Sequence, residues 1–521
     1  MPVQAPKTAR HLEVERKFDV VESTVSPSFE GIAAVARVEK LPMQSLDAVY
    51  FDTPTQDLAR NRITLRRRTG GPDAGWHLKL PAGPDARTEI HAPLESADAT
   101  GEAVPASLLD VVLAIVRDRP IEPVARITTQ RESQILYGVD GVALAEFSND
   151  HVTAWSSAAA SGSDDGHEEQ QWREWELELQ QTDGTAGHDL LNRLGNRLLD
   201  AGAAPAGHGS KLARVLGRTS SAAASTRTPP PADPVHRAVA QQIEELLVWD
   251  RAVRADAYDA VHQMRVTTRK IRSLLKDAQD SFGLADGAWV IDELRELASV
   301  LGVARDAEVL GERYQRELDR LAPELVRGPV RERLVDGARR RYQRGLRRSL
   351  IAMRSKRYFR LLDALDALVA ENPATTVGQD SAPATPITID AAYKRVRKAA
   401  KAAAQGDQDG DDDGDHQKDP DEALHRIRKR AKRLRYTAAA TGEDKVSRRA
   451  KAIQTLLGDH QDSVVSRQHL IQQVDAAHAA GEDTFTYGLL YQQEADLADS
   501  CRDQLDAALR KLDKSVRRAR R

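Results

Sequence analysis

A chain of 521 residues is too long for one compact core and predicts two or three domains. Its 30% charged and 40% hydrophobic residues exclude a disordered polymer and fit folded domains with long exposed helices. The formal net charge of −3 gives no bulk attraction to a polyanion, the single Cys501 excludes an intramolecular disulfide framework, and no run of about 18 apolar residues is present to span a bilayer. The lone cysteine suits a reducing compartment and the N-terminus carries no apolar signal core, so the expected location is cytoplasmic.

The first predicted element is "HLEVERKFDV" (residues 11–20). As a strand it puts Glu13, Glu15 and Lys17 on one face and Leu12, Val14, Arg16 and Phe18 on the other, because successive side chains alternate sides. Later segments divide in the same way. "ITLRRRT" sets Thr64, Arg66 and Arg68 opposite Leu65 and Arg67, and "WHLKLP" sets His77 and Lys79 opposite Trp76, Leu78 and Leu80. "WREWELELQ" sets Glu174, Glu176 and Glu178 opposite Trp175, Leu177 and Leu179. With "GVALAEF", and with Gly, Pro and Asp between them, these segments predict an antiparallel sheet or barrel over roughly the first two hundred residues.

Each strand alone describes a sheet with one wet face. The set says more, because some polar faces are all acidic and others all basic. Carboxylates in line repel one another, and a divalent cation reverses that sign. Mg²⁺ and Mn²⁺ prefer carboxylate oxygen, while arginines as planar forks and lysines as point charges suit phosphate oxygens. A closed barrel lined in this way would hold a metal and a short polyphosphate.

"EVERK" (13–17) is similar to the ExExK signature of the CYTH superfamily, the triphosphate tunnel metalloenzymes, which include inorganic triphosphatases, thiamine triphosphatases and class IV adenylyl cyclases. The resemblance continues in order through "YFDT" (50–53), "TLRRR" (64–68), "WHLKLP" (76–81), "RTE" (87–89), "ELEL" (176–179) and "GSKLAR" (209–214). It implies an antiparallel eight-stranded β-barrel forming a tunnel, with Mg²⁺ or Mn²⁺ held by Glu13, Glu15, Glu176 and Glu178. It also implies that Lys17, Arg66, Arg68, Lys79, Arg131 and Lys211 hold the triphosphate, with Glu13, Glu15 and Lys17 as the catalytic set. A carboxylate near the terminal phosphorus would orient the attacking water, and Glu13 and Glu15 are both candidates. Glu89, Glu146 and Asp150 match acidic positions of the family less closely. Two departures stand out: His77 takes an inward slot without assigned chemistry, and "SSAAASGSDDGHEEQQ" (156–171) reads as an expanded loop.

Further along, "TSSAAASTRTPPPADP" cannot build a core and predicts a linker at 219–232, between a domain of residues 1–218 and one of residues 233–521. Beyond it almost every segment has helical period, interrupted by predicted loops at 372–386 and 405–421. Two of these helices echo each other. "VHQMRVTTRKIRSLLK" (261–276) carries His262, Arg265, Arg269 and Arg272, and "LHRIRKRAKRLRYTAA" (424–439) carries His425, Arg428, Lys432 and Arg435 at the same spacing, each set within one helical stripe. A second echo, "LGVARDAEV" and "LGDHQDSVV", places Asp306 and Asp462 at matching points. One basic face is ordinarily just solvated. Two in the same phase repel unless an anion lies between them, and a linear polyphosphate meets that need without any base to read.

The repeat resembles the CHAD domain, the conserved-histidine α-helical domain. It implies an all-α pseudo-symmetric pair of helical bundles around a basic groove, associated with inorganic polyphosphate through those eight residues, with Lys276, Lys429 and Arg433 adjacent. CYTH and CHAD modules occur fused in one bacterial family, so each resemblance raises the other. The expected fold is α+β with two domains. The leading functional reading is a metal-dependent inorganic triphosphatase, cleaving triphosphate to diphosphate and phosphate, whose helical domain binds inorganic polyphosphate; its location extends to polyphosphate granules. The alternatives are a non-catalytic polyphosphate-binding or granule-associated protein, and a thiamine triphosphatase or class IV cyclase using the same tunnel. Nucleic acid ranks lower, because aromatic residues make up only 4% and neither repeat carries a stacking set.

Overall fold

The computed structural model describes residues 9–83, 85–94, 103–156, 169–180, 185–217, 233–285, 288–370, 388–405 and 420–519. The predicted linker at 219–232 and loop at 372–386 lie outside the described residues, as do most of the loops at 156–171 and 405–421. Two compact units form: Met1–Leu301 with Arg348–Thr375, and Gly302–Arg347 with Thr376–Arg521.

The first unit contains the closed eight-stranded antiparallel barrel. Its strands are β1 (Ala9–Val20), β3 (Gln44–Asp52), β4 (Thr64–Thr69), β5 (Gly75–Pro81), β6 (Ala86–Ala92), β7 (Glu122–Tyr137), β8 (Ala143–Ser156) and β9 (Glu169–Leu179), with β2 (Arg37–Lys40) added to β7 and β10 (Ala204–Pro205) to β1. The order around the wall is β1-β6-β5-β4-β3-β7-β8-β9. Closure is made by β1 itself, which pairs with β6 over residues 9–14 and then with β9 over residues 15–20.

The apolar core lies outside the wall. Val14, Phe18, Phe147, Trp175, Leu177 and Leu179 pack on Leu191, Leu194 and Leu198 of the helix Thr185–Asp200. Leu65, Trp76, Leu78 and Ile90 pack on Leu108, Val112 and Ile115 of the helix Ala106–Val116. Each such burial stabilises by about 2 kcal/mol, and alternation then turns the charged residues of the same strands inward. Asp52 of "YFDT" serves this frame. Fully buried, it accepts the backbone N–H groups of Thr53, Leu58 and Ala59 and so fixes the turn into the helix Asp57–Arg60.

The helices Pro234–Arg254, Ala260–Asp277 and Lys356–Ala370 belong to the same unit. The first starts at Asp233, whose carboxylate accepts the N–H groups of Val235 and His236, with Pro234 at the first helical position. In the second unit the helices Ile389–Gln405, Pro420–Ala440, Asp444–Ala479 and Phe485–Ala519 enclose a core that includes Val396, Ile427, Leu434, Ile453 and Leu512. No described helix is long and apolar enough to cross a membrane.

Candidate functional site

The inward faces of the barrel strands enclose a cavity of about 320 Å³. β1 contributes Glu13, Glu15 and Lys17, β4 contributes Thr64, Arg66 and Arg68, and β5 contributes Lys79. Glu89 of β6, Arg131 of β7, Glu146 of β8, and Glu176 and Glu178 of β9 also line it. Lys211 reaches in from the start of the short helix Lys211–Val215, which Ser210 caps by accepting the N–H of Ala213. Every barrel residue singled out from the sequence as a metal or triphosphate ligand therefore faces one space.

Acid and base are paired across that space. Lys17 Nζ lies 2.8 Å from Glu15 and also contacts Glu176, and Lys79 Nζ lies 2.6 Å from Glu13. Arg131 grips Asp150 with two parallel bonds of 2.8 and 2.6 Å and also reaches Glu176. Burial opposes ionisation of Glu15, but Lys17 and Lys79 outweigh it and hold the carboxyl at about 2. Glu176 is likewise held well below the ordinary range, by Lys17, Lys211 and Arg131 against its burial. Glu13 and Glu178 behave differently. Burial lifts Glu13 to about 7 in spite of Lys79, with Glu89 adding to the rise, and burial together with the Glu13 charge lifts Glu178 to about 7.

The basic wall is short of counter-charge in one place. Arg66 donates to the Tyr50 hydroxyl at 3.3 Å, and Arg68 pairs with Asp73 at the mouth, yet the buried Nε atoms of both arginines lack hydrogen-bond partners. Burial, reinforced by Arg66 and Arg131, pulls the Arg68 guanidinium down to about 9. The cost of keeping Arg68 charged is one that a bound polyanion removes, whereas at Arg66 Tyr50 and Glu89 outweigh the burial that opposes its charge.

Two acidic groupings bear on a divalent cation. One oxygen each of Asp150, Glu174 and Glu176 lie within 4.8 Å of one another. That place has a cation already: Lys211 Nζ sits 2.8 Å from Asp150 and 2.7 Å from both Glu174 and Glu176, and donates a hydrogen bond to Glu176. Glu13 and Glu178, by contrast, resist ionising together in the absence of a cation, and oxygen-only donors of this kind suit Mg²⁺ or Mn²⁺. Glu13, Glu15, Glu176 and Glu178 line one cavity and suit such an ion by donor type, although among the described residues it is Asp150, Glu174 and Glu176 whose oxygens converge within 4.8 Å.

His77 is fully buried. Its Nε2 lies 3.0 Å from the Asp73 carbonyl oxygen and its Nδ1 lies 2.8 Å from Glu89 Oε1, while burial pushes the imidazole down to about 4. Two contributors were not picked out from the sequence, Tyr50 against Arg66 and Arg87 at 3.6 Å from Glu15; Glu174, placed on the acidic face but given no ligand role, lies against Lys211. Tyr50 and Arg87 sit in the quoted "YFDT" and "RTE" segments, and the alternation test applied there puts both on the inward face.

The two basic stripes occupy equivalent places on their helices. On Ala260–Asp277 the buried line Met264, Thr268, Ile271 and Leu275 runs beside His262, Arg265, Arg269 and Arg272; of these, Arg269 is exposed and the others are half-buried. On Pro420–Ala440 the buried line Ile427, Ala431, Leu434 and Ala438 runs beside His425, Arg428, Lys432 and Arg435, all half-buried. The apolar line repeats at the same offset as the basic one. Arg428 lies against Gly458, where an added Cβ would meet its Nη2 at 3.4 Å, and Arg435 donates to Gln454 at 3.1 Å. Burial, with Lys429 and Arg428 nearby, lowers the His425 imidazole, whose buried Nδ1 has no hydrogen-bond partner among the described residues.

Family models match this chain twice: the CYTH domain over residues 11–200 and the CHAD domain over residues 237–471. An uncharacterised protein of Mycobacterium tuberculosis strain H37Rv is 77% identical over 523 aligned positions, covering 100% of both chains. Among solved structures, PptA from Streptomyces chartreusis is 21% identical with a TM-score of 0.42, over 54% of this chain and 99% of its own. The CHAD domain from the plant Ricinus communis is 23% identical with a TM-score of 0.38, over 54% of this chain and 93% of its own.

Proposed function

The chain belongs to the family that fuses a CYTH domain to a CHAD domain, and on that premise we propose that it is a divalent-metal-dependent inorganic triphosphatase whose helical half binds inorganic polyphosphate. The observation that carries the reading is the pair Arg66 and Arg68, whose buried Nε atoms have no hydrogen-bond partner among the described residues, facing carboxyls two of which are lifted to about 7. One wall keeps unused guanidinium donors and the other keeps two carboxyls that burial resists ionising. A metal–triphosphate complex would satisfy both.

Arg66 and Arg68 offer planar forks to phosphate oxygens, and Lys17, Lys79 and Arg131 add charge along the chain of phosphates. A divalent cation at Glu13, Glu15, Glu176 and Glu178 would neutralise the carboxylates and the charge growing on the departing diphosphate. Lys211 keeps Glu176 in place by bonding it together with Asp150 and Glu174. The residues act by positioning and by fixed electrostatics, and no serine or cysteine nucleophile is required. In the helical half, two matching stripes of basic residues, all but Arg269 half-buried, support binding of a repeating anion.

The test is phosphate release from inorganic triphosphate, long-chain polyphosphate, ATP and thiamine triphosphate, each with Mg²⁺ and with Mn²⁺. Preference for inorganic triphosphate is expected. Preference for thiamine triphosphate, or cyclic AMP formed from ATP, would overturn the assignment. Tight polyphosphate binding without turnover of any of the four would make the protein a binder.

A further inference from the structure

Asp110 and Arg117 lie in the CYTH-matched region but take no part in the cavity. They bind the helices Pro234–Arg254 and Lys356–Ala370 of the helical half, all within the first compact unit. Arg254 is the hub, with a side chain only 2% exposed. Its Nε donates to Asp250 at 2.6 Å, its Nη1 to Asp110 at 3.1 Å and its Nη2 to the Met353 carbonyl at 2.9 Å. Asp250, fully buried, also accepts the Tyr358 hydroxyl at 2.9 Å, and Arg354 makes a second contact to Asp110 at 2.9 Å. At the other end of the same short helix the Arg117 guanidinium donates to both Asp363 and Asp366.

Two features separate these contacts from exposed ion pairs, which contribute little. Both arginine side chains are buried, although the Asp363 and Asp366 carboxylates that Arg117 meets are about half exposed. Burial opposes their charge, and Asp366 with Asp363, and Asp250 with Asp110, more than reverse it. The second feature is the backbone of Arg117, which has φ 60° and ψ −125° at the end of the helix Ala106–Val116, a conformation that favours glycine. A side chain is carried there at a conformational cost, and what that side chain does is clamp two aspartates of another helix.

We propose that the helix Ala106–Val116 with Arg117 is a permanent docking surface, and that its occupant is the helix pair Pro234–Arg254 and Lys356–Ala370 of the same chain. The barrel and the first helices of the helical half then form one body whose integrity does not depend on the covalent connection through residues 219–232. The helix Ala260–Asp277 packs on Pro234–Arg254, so the stripe of His262, Arg265, Arg269 and Arg272 is carried on the same body as the tunnel. This arrangement holds whether or not the tunnel turns over triphosphate.

A protease site placed within residues 219–232 of the full chain lets that segment be cut without removing any described residue. The nicked protein should elute from gel filtration, at micromolar concentration in native buffer, at the mass of the intact chain. Nicked Asp110→Asn/Asp363→Asn/Asp366→Asn protein should separate into two fragments, with association weakened about a hundredfold or more. Arg117→Gly is the control against misfolding, because glycine suits that backbone and the variant loses only the clamp; its nicked form should also associate more weakly. Separation of the nicked natural sequence overturns the proposal, as does association of either nicked variant at natural strength.

Discussion

Glu13 and Glu178 should make metal binding in the tunnel steeply dependent on pH. Burial first, then Glu89 in one case and the Glu13 charge in the other, hold the two carboxyls at about 7 against an ordinary value of 4.5. Ionising each there without a metal costs about 3 kcal/mol relative to water. Both folded values are raised, so the protonated forms dominate below pH 7. The stability they lend the metal-free protein is fully present below 4.5 and is lost as the pH rises through 7. A cation that needs both as carboxylates must displace up to two protons. Apparent affinity is then close to its plateau at about pH 8, about fourfold lower at pH 7 and about a hundredfold lower at pH 6. Titration calorimetry with Mn²⁺ at these three pH values, in two buffers of different protonation enthalpy, reads both affinity and protons released. Glu178→Gln should halve the slope, leaving about a tenfold change over the same range. A flat profile in the natural sequence, or release of no protons at pH 6, would refute the reasoning.

Glu176→Gln removes the charge on which Lys17, Lys211 and Arg131 converge, and phosphate release should fall at least about a hundredfold; near-normal turnover with unchanged metal dependence would remove Glu176 from the ligand set. Arg66→Ala should raise KM for triphosphate by about tenfold to a hundredfold while the Mn²⁺ dissociation constant stays put, and an equal loss in both would place Arg66 on the metal side. Lys211→Met leaves Asp150, Glu174 and Glu176 without their shared ammonium, so thermal melting should report a loss of about 3–5 kcal/mol that Mn²⁺ partly restores; a melt unaffected by the substitution would show that the ammonium is not the counter-charge. Arg269→Glu with Lys432→Glu should weaken long-chain polyphosphate binding, and binding by the natural sequence should fall steeply with added salt, as contacts to a linear polyanion do. Binding insensitive to salt would exclude the two stripes as its origin.

Alternation is a local property of extended backbone, so the quoted strands alone place Glu13, Glu15, Lys17, Arg66, Arg68, Lys79, Glu176 and Glu178 on one side of a sheet. The helical period is equally local, which is why the stripes from His262 and from His425 were legible together with the buried lines beside them. Local period says nothing of who meets whom. That Lys211 from a short helix after the last long strand would close on Asp150, Glu174 and Glu176 depends on where the barrel wall brings those carboxylates. The separation of four carboxyls into two held ionised and two held near pH 7 likewise depends on depth and neighbours, not on residue type.

By itself, then, the sequence determined the element types, the polar and apolar faces, the break in composition at 219–232 and the duplicated basic helix, because each arises from residues adjacent along the chain. Tertiary structure alone decided the switch of β1 from β6 to β9 that closes the barrel, the pairing of each cation with its carboxylates, and the burial of the Arg117 and Arg254 side chains beside the partly exposed Asp110. Nothing in the local sequence pattern distinguishes those three. Only packing removes the water around them and makes their partners matter.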